Sequence, residues 1–589
     1  MEFIAHNLAP IMFAGLICFL LVGFPVAFSL GACGLFFAFI GIEMNVLPEA
    51  LLQALPLRIY GIMQNDTLLA IPFFTLMGLI LERSGMAEDL LDTIGQLFGP
   101  IRGGLALAVI FVGALLAATT GVVAASVISM GLISLPIMLR YGYDRRLAAG
   151  VIAASGTLAQ IIPPSLVLII IADQLGRSVG DMYKGAFLPG LMLTGFYASY
   201  VILLAVIKPQ WVPALPPEAR TLREDNGKSG VPSLLVLTAI CTAASIYVAK
   251  NMPALHTWWS GDAVDKVALD ETIVVSMCFG VALAFVAASF NKITRLGLLS
   301  RAAERVTFVL IPPRLLIFLV LGTIFLGVAT PTEGGAMGAL GAIVMAVIRG
   351  RLSMSLLTQA LNTTTKLSCF VVFILVGATI FGLTFQGVDG PLWVEHLLSG
   401  LPGGQLGFLI VVNIMVFFLA FFLDFFELSF IVVPLLAPVA DKLGIDLIWF
   451  GVLLAINMQT SFMHPPFGFA LFYLRSVAPA KEYMDKVTKK MIAPVTTTQI
   501  YWGAIPFLCI QILMVALVIA FPGIVSSGLD KAEVYDLDKV RLEMEANMPA
   551  PMEQADPTAG MPGSEAPAAE DDPLKAMQES LSQDAEKKN

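Results

Sequence analysis

Small hydroxyl and amide side chains lie beside two proline pairs in the apolar part of the chain. These candidate ligand residues are Ser155, Gly156, Thr157, Asn457, Gln459 and Thr460. Proline has no backbone N–H and clashes with the preceding turn, so Pro163-Pro164 and Pro465-Pro466 must each interrupt a helix. Carbonyl groups freed by such breaks coordinate cations, and neutral oxygen-bearing side chains suit Na⁺. The two clusters therefore predict a sodium site built from two broken helices.

Two other apolar runs stop at a polar or glycine-containing interruption and then return. This pattern predicts re-entrant hairpins over residues 103–139 and 406–441. Their tips add four candidate sodium ligands, which are Thr119, Thr120, Gly121 and Asp424. Ser155 and Asn457 occupy equivalent positions in an internal repeat and are the favoured pair. The alternative for all of these residues is structural, because hydroxyl and carboxylate groups also cap the ends of broken helices.

Five more polar residues lie within or beside apolar segments and are candidates for substrate contact or gating. They are Thr330, Thr332, Glu333, Arg314 and His464. Ionisable residues inside membrane segments usually have a function, and the arginine fork fits a carboxylate. Thr332 could instead be a helix N-cap, with Glu333 at the positive end of that helix. Arg314 could extend to the cytoplasmic surface, and His464 could be a structural histidine.

The composition is that of a membrane protein with many spans. Of 589 residues, 58% are hydrophobic and 13% are charged, and the mean hydropathy is +0.86. The sequence has no phosphate loop, no GxSxG or HExxH motif and no Cys/His ligand set, so we expect neither an enzyme nor a cofactor. Nothing indicates nucleic-acid binding. Residues 522–589 hold 15 acidic and 6 basic side chains and are expected to be mostly disordered, with a possible short helix near 529–546.

An internal repeat organises the chain at an offset of 302 residues. Pro136, Gly142, Asp144, Pro163 and Pro164 recur as Pro438, Gly444, Asp446, Pro465 and Pro466. Paired interruptions in two halves of a membrane protein are the best sequence indication of a transporter's binding site. The predicted number of crossings between the two copies is odd, so the repeats are expected to be inverted relative to each other.

The predicted fold is all-α and polytopic, with about 11 spans of roughly 20 residues each and the two re-entrant hairpins. The spans are expected at 11–40, 67–83, 146–175 (broken), 184–207, 231–249, 272–290, 306–328, 333–349, 366–386, 447–475 (broken) and 497–521, with an interfacial helix at 45–66. The domains are expected at 1–66 (first scaffold span and interfacial helix), 67–207 (first inverted repeat), 208–305 (loop and two extra spans), 306–365 (central spans), 366–521 (second inverted repeat) and 522–589 (acidic tail).

The distribution of basic residues gives an orientation. Cytoplasmic loops collect Lys and Arg, and the loops on one side of the predicted topology hold 21 such residues against 6 on the other. With the richer side placed inside, the N-terminus is predicted to be cytoplasmic and the acidic tail to be periplasmic.

Six segments resemble the large membrane subunit of TRAP transporters, which are tripartite, ATP-independent and dependent on a periplasmic binding protein. They are AIPFFTLMG (70–78), GALLAATTGVVAAS (113–126), ASGTLAQIIPPS (154–165), GAFLPGL (185–191), GVATPTEGGAMGA (327–339) and GIDLIWFGVLLAINMQTSFMHPPFGFALFY (444–473). The resemblance covers nearly the whole membrane body. The long form also resembles the subgroup named for mannitol and chloroaromatic compounds, which is linked to 2-oxo acids.

The resemblance implies a Na⁺-coupled elevator in the bacterial inner membrane. In such an elevator the two hairpins and the two broken helices form a transport domain that slides against a scaffold. The implied partners are a small four-span membrane subunit and a periplasmic substrate-binding protein that delivers an organic acid. Four features differ from the family's usual pattern: Thr119-Thr120-Gly121, Met463-His464 before the second proline pair, the two extra spans at 231–300, and the acidic tail. A membrane-embedded enzyme and an ion channel are the alternatives at this level.

Overall fold

The computed structural model describes residues 7–120, 123–222, 230–260, 267, 269–294, 297–421, 423–485, 487–527 and 529. Nine helices in this part of the chain are long and apolar enough to cross a bilayer, or up to eleven if each of two bent helix pairs forms one span. This agrees with the predicted number of spans and confirms the all-α membrane fold. The predicted disordered tail, including the possible helix near 529–546, lies outside the described residues apart from 522–527 and 529.

The described residues between 7 and 207 form ten helices. They are α1 (Leu8–Val22), α2 (Val26–Glu43), α3 (Leu55–Met63), α4 (Ala70–Arg83), α5 (Met86–Phe98), α6 (Gly104–Thr120), α7 (Val123–Arg140), α8 (Arg145–Thr157), α9 (Leu166–Gln174) and α10 (Val179–Ile207). Short 3₁₀ turns occupy Glu49–Ala54, Asp66–Leu69, Leu158–Gln160, Pro209–Trp211 and Pro217–Ala219. Helices α6 and α7 form the first predicted hairpin, and α8 with α9 forms the first broken helix.

The remaining helices include the two extra spans and the second repeat. They are α11 (Val231–Lys250), α12 (Met252–Ser260), α13 (Leu269–Thr294), α14 (Arg301–Phe325), α15 (Pro331–Ile348), α16 (Met354–Gly387), α17 (Gly390–Ser399), α18 (Gly404–Leu419), α19 (Phe425–Lys442), α20 (Leu447–Met463), α21 (Phe469–Val477), α22 (Thr497–Ala520) and α23 (Gly523–Ser526). A two-residue antiparallel pair, β1 (Tyr483–Met484) with β2 (Met491–Ile492), lies in the loop before α22.

The predicted single span at 11–40 is wrong, because this stretch forms the two helices α1 and α2. Gly23 adopts a left-handed φ of 89° and Pro25 precedes α2, so the helix cannot continue through them. The helices pack antiparallel, and the Cys33 thiol donates to the Met12 carbonyl oxygen at 3.5 Å. The prediction of a cytoplasmic N-terminus assumed that residues 11–40 cross the membrane once, and two helices in this stretch no longer support that assumption.

The structure differs from the predicted elements in two other respects: it has two helices that were not predicted, and one helix is longer than predicted. Helices α5 and α17 were not predicted, although each directly precedes one of the two hairpins. Helix α16 begins at Met354, twelve residues before the predicted span at 366–386. The predicted interfacial segment at 45–66 is helical in its central part, as the 3₁₀ turn Glu49–Ala54 and α3.

The two repeats build matching local structures. Asp144 and Asp446 are both N-caps, and each side chain accepts a backbone N–H from the first turn of its helix, α8 or α20. Gly142 and Gly444 precede them with φ values of 82° and 71°. The repeats also exchange contacts: α9 of the first packs on α19 of the second, and α21 of the second packs on α7 of the first.

Candidate functional site

The two proline pairs interrupt helices as predicted. The first broken helix runs as α8 to Thr157, continues as a 3₁₀ turn over Leu158–Gln160, and resumes as α9 at Leu166. The second runs as α20 to Met463 and resumes as α21 at Phe469. Both segments between the helical halves contain the proline pair, so backbone groups next to it leave the helical hydrogen-bond pattern.

The broken helices cross each other at equivalent residues. The Gln459 side chain donates from Nε2 to Thr157 Oγ1 at 3.1 Å, and the two residues are 302 positions apart, which is the repeat offset. Both side chains are fully buried. Equivalent residues that contact each other must lie at the axis relating two repeats, so this hydrogen bond marks the pseudo-two-fold axis of the molecule.

The first hairpin covers the first break at very short range. A Cβ atom at Gly156 would lie 2.4 Å from Val127 Cγ2 and 3.1 Å from the Val127 backbone nitrogen. A Cβ atom at Gly113 of α6 would lie 2.5 Å from Ser155 Cβ. Both arms of the hairpin therefore press on consecutive residues of the break, and only glycine fits at the two contact positions.

The second hairpin makes the corresponding contacts with the second break. The Asn457 side chain donates from Nδ2 to the Asn413 carbonyl oxygen of α18 at 2.8 Å. Ser429 Oγ of α19 lies 4.0 Å from Met458 Sδ as a weak donor. Met458 and Ser429 are the repeat equivalents of Gly156 and Val127, so one helix–hairpin contact occurs twice with different side chains.

The hydroxyl groups at the breaks donate to carbonyl oxygens of their own helices. Ser155 Oγ donates to the Val151 carbonyl at 2.6 Å, and Thr157 Oγ1 donates to that of Ala154 at 2.9 Å. Thr460 Oγ1 donates to the Asn457 carbonyl at 2.6 Å. These bonds fix the hydroxyl protons along the helices, which leaves the oxygen lone pairs of Ser155 and Thr460 as groups that could face a cation.

The hairpin tips differ in what the structure describes. Thr119 and Thr120 are the last residues of α6, their side chains are outside the described set, and Gly121 lies outside the described residues. Asp424 is the N-cap of α19: its carboxylate accepts from the Glu427 backbone N–H at 2.9 Å, and Glu427 Oε2 accepts from the Asp424 N–H at 2.9 Å. This reciprocal capping box fixes two carboxylates at the second tip.

The predicted cap at the TPTE segment is off by two residues. Thr330, rather than Thr332, is the N-cap of α15 and forms a capping box with Glu333, because the acidic partner must stand three residues after the cap. Thr332 Oγ1 instead donates to the Asp66 carbonyl at 2.6 Å, which ties α15 to the turn before α4.

Arg314 and His464 both stack on aromatic rings. The Arg314 guanidinium lies 5.2 Å from the ring centre of Phe111 on the first hairpin, and it makes no ion pair with any carboxylate of the described residues. The His464 ring stacks on Phe421 at 4.1 Å, and its buried Nδ1 has no hydrogen-bond partner there. Arg314 is thus directed at the hairpin, and His464 lies among the aromatic side chains next to the second tip.

Three features next to the candidate site were not predicted from the sequence. A cleft of about 400 Å³ separates the end of α9 and the start of α10 from the loop before α15, with Thr67, Asp173, Arg177 and Pro331 among its lining residues. Across the same boundary the Asn65 side chain donates to Asp173 at 2.8 Å. Gln511 and Tyr197 join the crossing point from α22 and α10. Pairs so distant in sequence carry no local signal.

The chain matches the family model described as "Tripartite ATP-independent periplasmic transporter, DctM component" over residues 13–260 and 268–524. It is 27% identical over 481 residues to a C4-dicarboxylate TRAP transporter large permease of Rhodobacter capsulatus, covering 79% of this chain and 89% of the relative. It is 23% identical over 505 residues to a sialic acid TRAP transporter large permease of Vibrio cholerae, covering 85% and 94%.

A third relative is longer than this chain. The isethionate TRAP transporter permease of Oleidesulfovibrio alaskensis is 25% identical over 486 residues, which covers 82% of this chain and 63% of the relative. The family model spans both broken helices and both hairpins. The chain belongs to the tripartite ATP-independent periplasmic transporter family, as a large membrane permease of a secondary transporter and not an enzyme.

Proposed function

We propose that this permease imports an organic acid together with Na⁺ by moving a transport domain against a scaffold. The observation that carries the proposal is the crossing of the two broken helices at equivalent buried residues, Thr157 and Gln459, with a hairpin packed on each break. A site formed by paired breaks of two repeats is typical of ion-coupled alternating access. The same site in a continuously open channel would need no such paired hairpins.

The sodium ligands of the proposal lie at the two breaks. The carbonyl oxygens of Ser155, Gly156 and Thr157 and the Ser155 hydroxyl form one site with the first tip, Thr119, Thr120 and Gly121. Asn457, Gln459 and Thr460 form the other with Asp424, whose carboxylate supplies a full charge. Oxygen atoms beside unwound helix ends are the usual Na⁺ ligands of such transporters. No other metal and no organic cofactor is required.

The substrate is proposed to be an organic acid. The names of the relatives give C4-dicarboxylate, isethionate and sialic acid as their substrates, and all of these are acids. Arg314 is the candidate to bind the acid group, because its guanidinium is directed at the hairpin without a carboxylate partner among the described residues. His464, Thr330, Thr332 and Glu333 are placed as substrate or gating residues.

The moving boundary is proposed to run between the hairpins, the broken helices and helices α10 and α22 on one side and the remaining spans on the other. Helices α10 and α22 are placed with the moving unit because they are hydrogen-bonded to the broken helices. The contacts that cross the boundary include the hydrogen bond from Asn65 to Asp173 and the stacking of Arg314 on Phe111. The 400 Å³ cleft opens along the same boundary. A sliding transport domain would have to break both contacts, so they belong to one of its end states.

The partners are proposed to be a small four-span subunit in the inner membrane and a periplasmic protein that delivers the acid. The isethionate relative, of which this chain spans 63%, has additional length that could hold the small subunit in the same chain. The predicted orientation places the acidic tail on the periplasmic side, where the binding protein would dock. The basic loops would then face the cytoplasm.

The deciding experiment uses proteoliposomes that contain this chain, the small subunit and the binding protein. Uptake of the acid is expected only with an inward Na⁺ gradient and only when the binding protein is present. Uptake that requires neither a Na⁺ gradient nor the binding protein would support the channel alternative and refute the proposal.

A further inference from the structure

A third and a fourth helix reach the crossing of the two broken helices. Gln511 of α22 donates from Nε2 to the Tyr197 hydroxyl of α10 at 2.8 Å and to Thr157 Oγ1 at 3.4 Å. Gln511, Tyr197, Thr157 and Gln459 are all fully buried. These four side chains form a buried polar cluster, which we call the crossing cluster.

The hydroxyl of Thr157 uses every hydrogen-bonding position it has within this cluster. It donates its proton to the Ala154 carbonyl and accepts from the Gln459 and Gln511 side-chain amides. A threonine hydroxyl has one proton and two lone pairs, so no position is left for a further ligand. Thr157 Oγ1 therefore acts as a fixed joint between helices, and its contribution to ion binding passes through its backbone and its neighbours.

The amides that hold Thr157 also carry unused acceptors. Gln459 Oε1 and Gln511 Oε1 are buried and have no hydrogen-bond partner among the described residues. Burying an unsatisfied polar group is costly compared with apolar packing. Apolar side chains would therefore pack these helices at a lower cost in free energy. What the two glutamines add is a pair of amide N–H donors that hold the Thr157 hydroxyl.

Only half of the cluster follows from the repeat. Thr157 and Gln459 are equivalent, but the positions equivalent to Tyr197 and Gln511 are Gln499, a half-buried residue at the start of α22, and Pro209. The extra bonds thus act on the first break alone. They connect Thr157, the end of α8, to two long helices that flank both broken helices.

We propose that Gln511 and Tyr197 are positioning residues that set the Na⁺ affinity of the first break by fixing Thr157. Tyr197 orients the Gln511 amide, Gln511 restrains the Thr157 hydroxyl, and the end of α8 then holds the carbonyl groups of Ser155 and Gly156 in place. This inference rests on the proposed function, since it assumes that the first break binds Na⁺.

The test measures initial uptake against Na⁺ concentration in proteoliposomes that contain all three components. Gln511→Leu is expected to raise the half-saturating Na⁺ concentration by about tenfold, because it removes the hydrogen bond that restrains Thr157 as well as the one to Tyr197, and to change the maximal rate little. Tyr197→Phe should cause a smaller increase. Adding Tyr197→Phe to Gln511→Leu should have no further effect, because Tyr197 acts through Gln511. Tyr143→Phe, which removes another buried tyrosine hydroxyl far from the crossing, is the matched control.

The outcomes separate this inference from the proposed function. A lower maximal rate with an unchanged half-saturating Na⁺ concentration in both single variants would show a merely structural role and would overturn the inference. Additive effects of the two substitutions would overturn it as well. Wild-type uptake without any Na⁺ dependence would instead refute the proposed function. If Gln511→Leu fails to fold, Tyr197→Phe and Gln511→Met give the same comparison.

Discussion

The two breaks share a backbone design and differ in side chains. Each consists of a helix, a proline pair and a second helix, covered by a hairpin whose second arm contacts the same repeat position. At that position the first break has Gly156 against Val127, and the second has Met458 against Ser429. The first tip has no acidic residue, whereas Asp424 and Glu427 cap the second. The two repeats therefore share the path of the backbone, but the polarity of the side chains at equivalent positions differs.

This comparison teaches where each half is sensitive. The first break is tight, because a Cβ atom at Gly156 would meet backbone as well as side-chain atoms of Val127. The second break fills the same contact with a flexible methionine side chain, which adapts to irregular space. Steric change should thus damage the first break, and change of charge should damage the second.

The largest effect is expected when the first break is made to resemble the second. Gly156→Met inserts a side chain where Val127 leaves no space, so the first hairpin must move away from Ser155 and its carbonyl neighbours. Overpacking of this kind costs about 1–3 kcal/mol even where neighbours can adjust, and here backbone blocks adjustment. We expect Na⁺-driven uptake to be abolished while detergent-solubilised protein stays folded by size-exclusion chromatography.

Met458→Leu is the matched substitution in the second break. Leucine conserves volume and apolar character, so uptake should stay within about twofold of wild type. Equal losses in Gly156→Met and Met458→Leu would show that the two contacts are sterically alike and would contradict the comparison.

The next effect concerns the favoured ligand pair. Ser155→Ala together with Asn457→Ala removes one side-chain oxygen from each break, and with it the bond from Asn457 to Asn413 on the second hairpin. Stimulation of uptake by Na⁺ is expected to be lost with folding intact. The single variants identify the more important half, and Asn457→Ala should be the more harmful because only Asn457 bonds its hairpin. Undiminished Na⁺ stimulation in the double variant would remove both residues from the site.

A smaller effect tests the charge at the second tip. Asparagine and aspartate are equally good helix N-caps, whereas alanine is a poor one. Asp424→Asn therefore keeps the cap and removes only the charge. If the carboxylate faces Na⁺ within about 4–6 Å, its loss should raise the half-saturating Na⁺ concentration by roughly tenfold. Asp424→Ala should show this increase and also lose about 1 kcal/mol of unfolding free energy.

The result for Asp424→Asn has a clear alternative. Wild-type Na⁺ dependence in Asp424→Asn, with a defect only in Asp424→Ala, would reduce Asp424 to a helix cap. Thr496→Ala is the control, because it removes the cap of another box at the start of α22 and should lower stability without changing Na⁺ affinity.

Much of this design was readable from the sequence for local reasons. Pro163-Pro164 and Pro465-Pro466 break their helices as predicted, although a third pair, Pro312-Pro313, lies within the continuous helix α14. Asp144 and Asp446 cap helices through bonds to their own first turns. The span predictions were wrong where one continuous apolar run contains two helices. Residues 11–40 are apolar throughout, and only Gly23 and Pro25 mark the turn between two short helices. Thr332 is not the cap, because a capping box needs its acidic residue three positions after the cap and Glu333 directly follows Thr332.

The crossing cluster could not have been found from local patterns. Thr157 meets Gln511 over a separation of 354 residues, and Gln511 is a single amide within a long apolar helix without an equivalent in the first repeat. The ring contact between Arg314 and Phe111 joins segments that are likewise distant in sequence. Such contacts follow from tertiary packing, which composition and periodicity do not record.

The smallest effects on Na⁺-driven uptake are expected at the outer ends of the two hairpins, where substitutions should change stability instead. Arg140 and Lys442 are the last residues of α7 and α19 and are repeat equivalents. Arg140 pairs with Asp485 at 2.9 Å, with side-chain exposures of 21% and 4%, while Lys442 pairs with Glu395 with an exposed fraction of 66% for the lysine. Removal of Asp485 from water acts to raise its pKa, but hydrogen bonds from Thr488 and Arg140 and the charge of Arg140 outweigh this and lower the pKa to about 2.

The two ion pairs should therefore differ in stability and in pH dependence. Arg140→Ala strands a buried carboxylate and should lower the unfolding free energy by about 2–3 kcal/mol, whereas Lys442→Ala should change it by less than about 1 kcal/mol. The folded pKa of Asp485 lies below the unfolded value of about 3.9, so its contribution is complete above pH 4 and is lost as the pH falls towards 2. Thermal unfolding in detergent should show the Arg140→Ala deficit at pH 7 and its decline below pH 4. A deficit that persists at pH 2, or an equal one in Lys442→Ala, would mean that the ends of the two hairpins are held by packing rather than by charge.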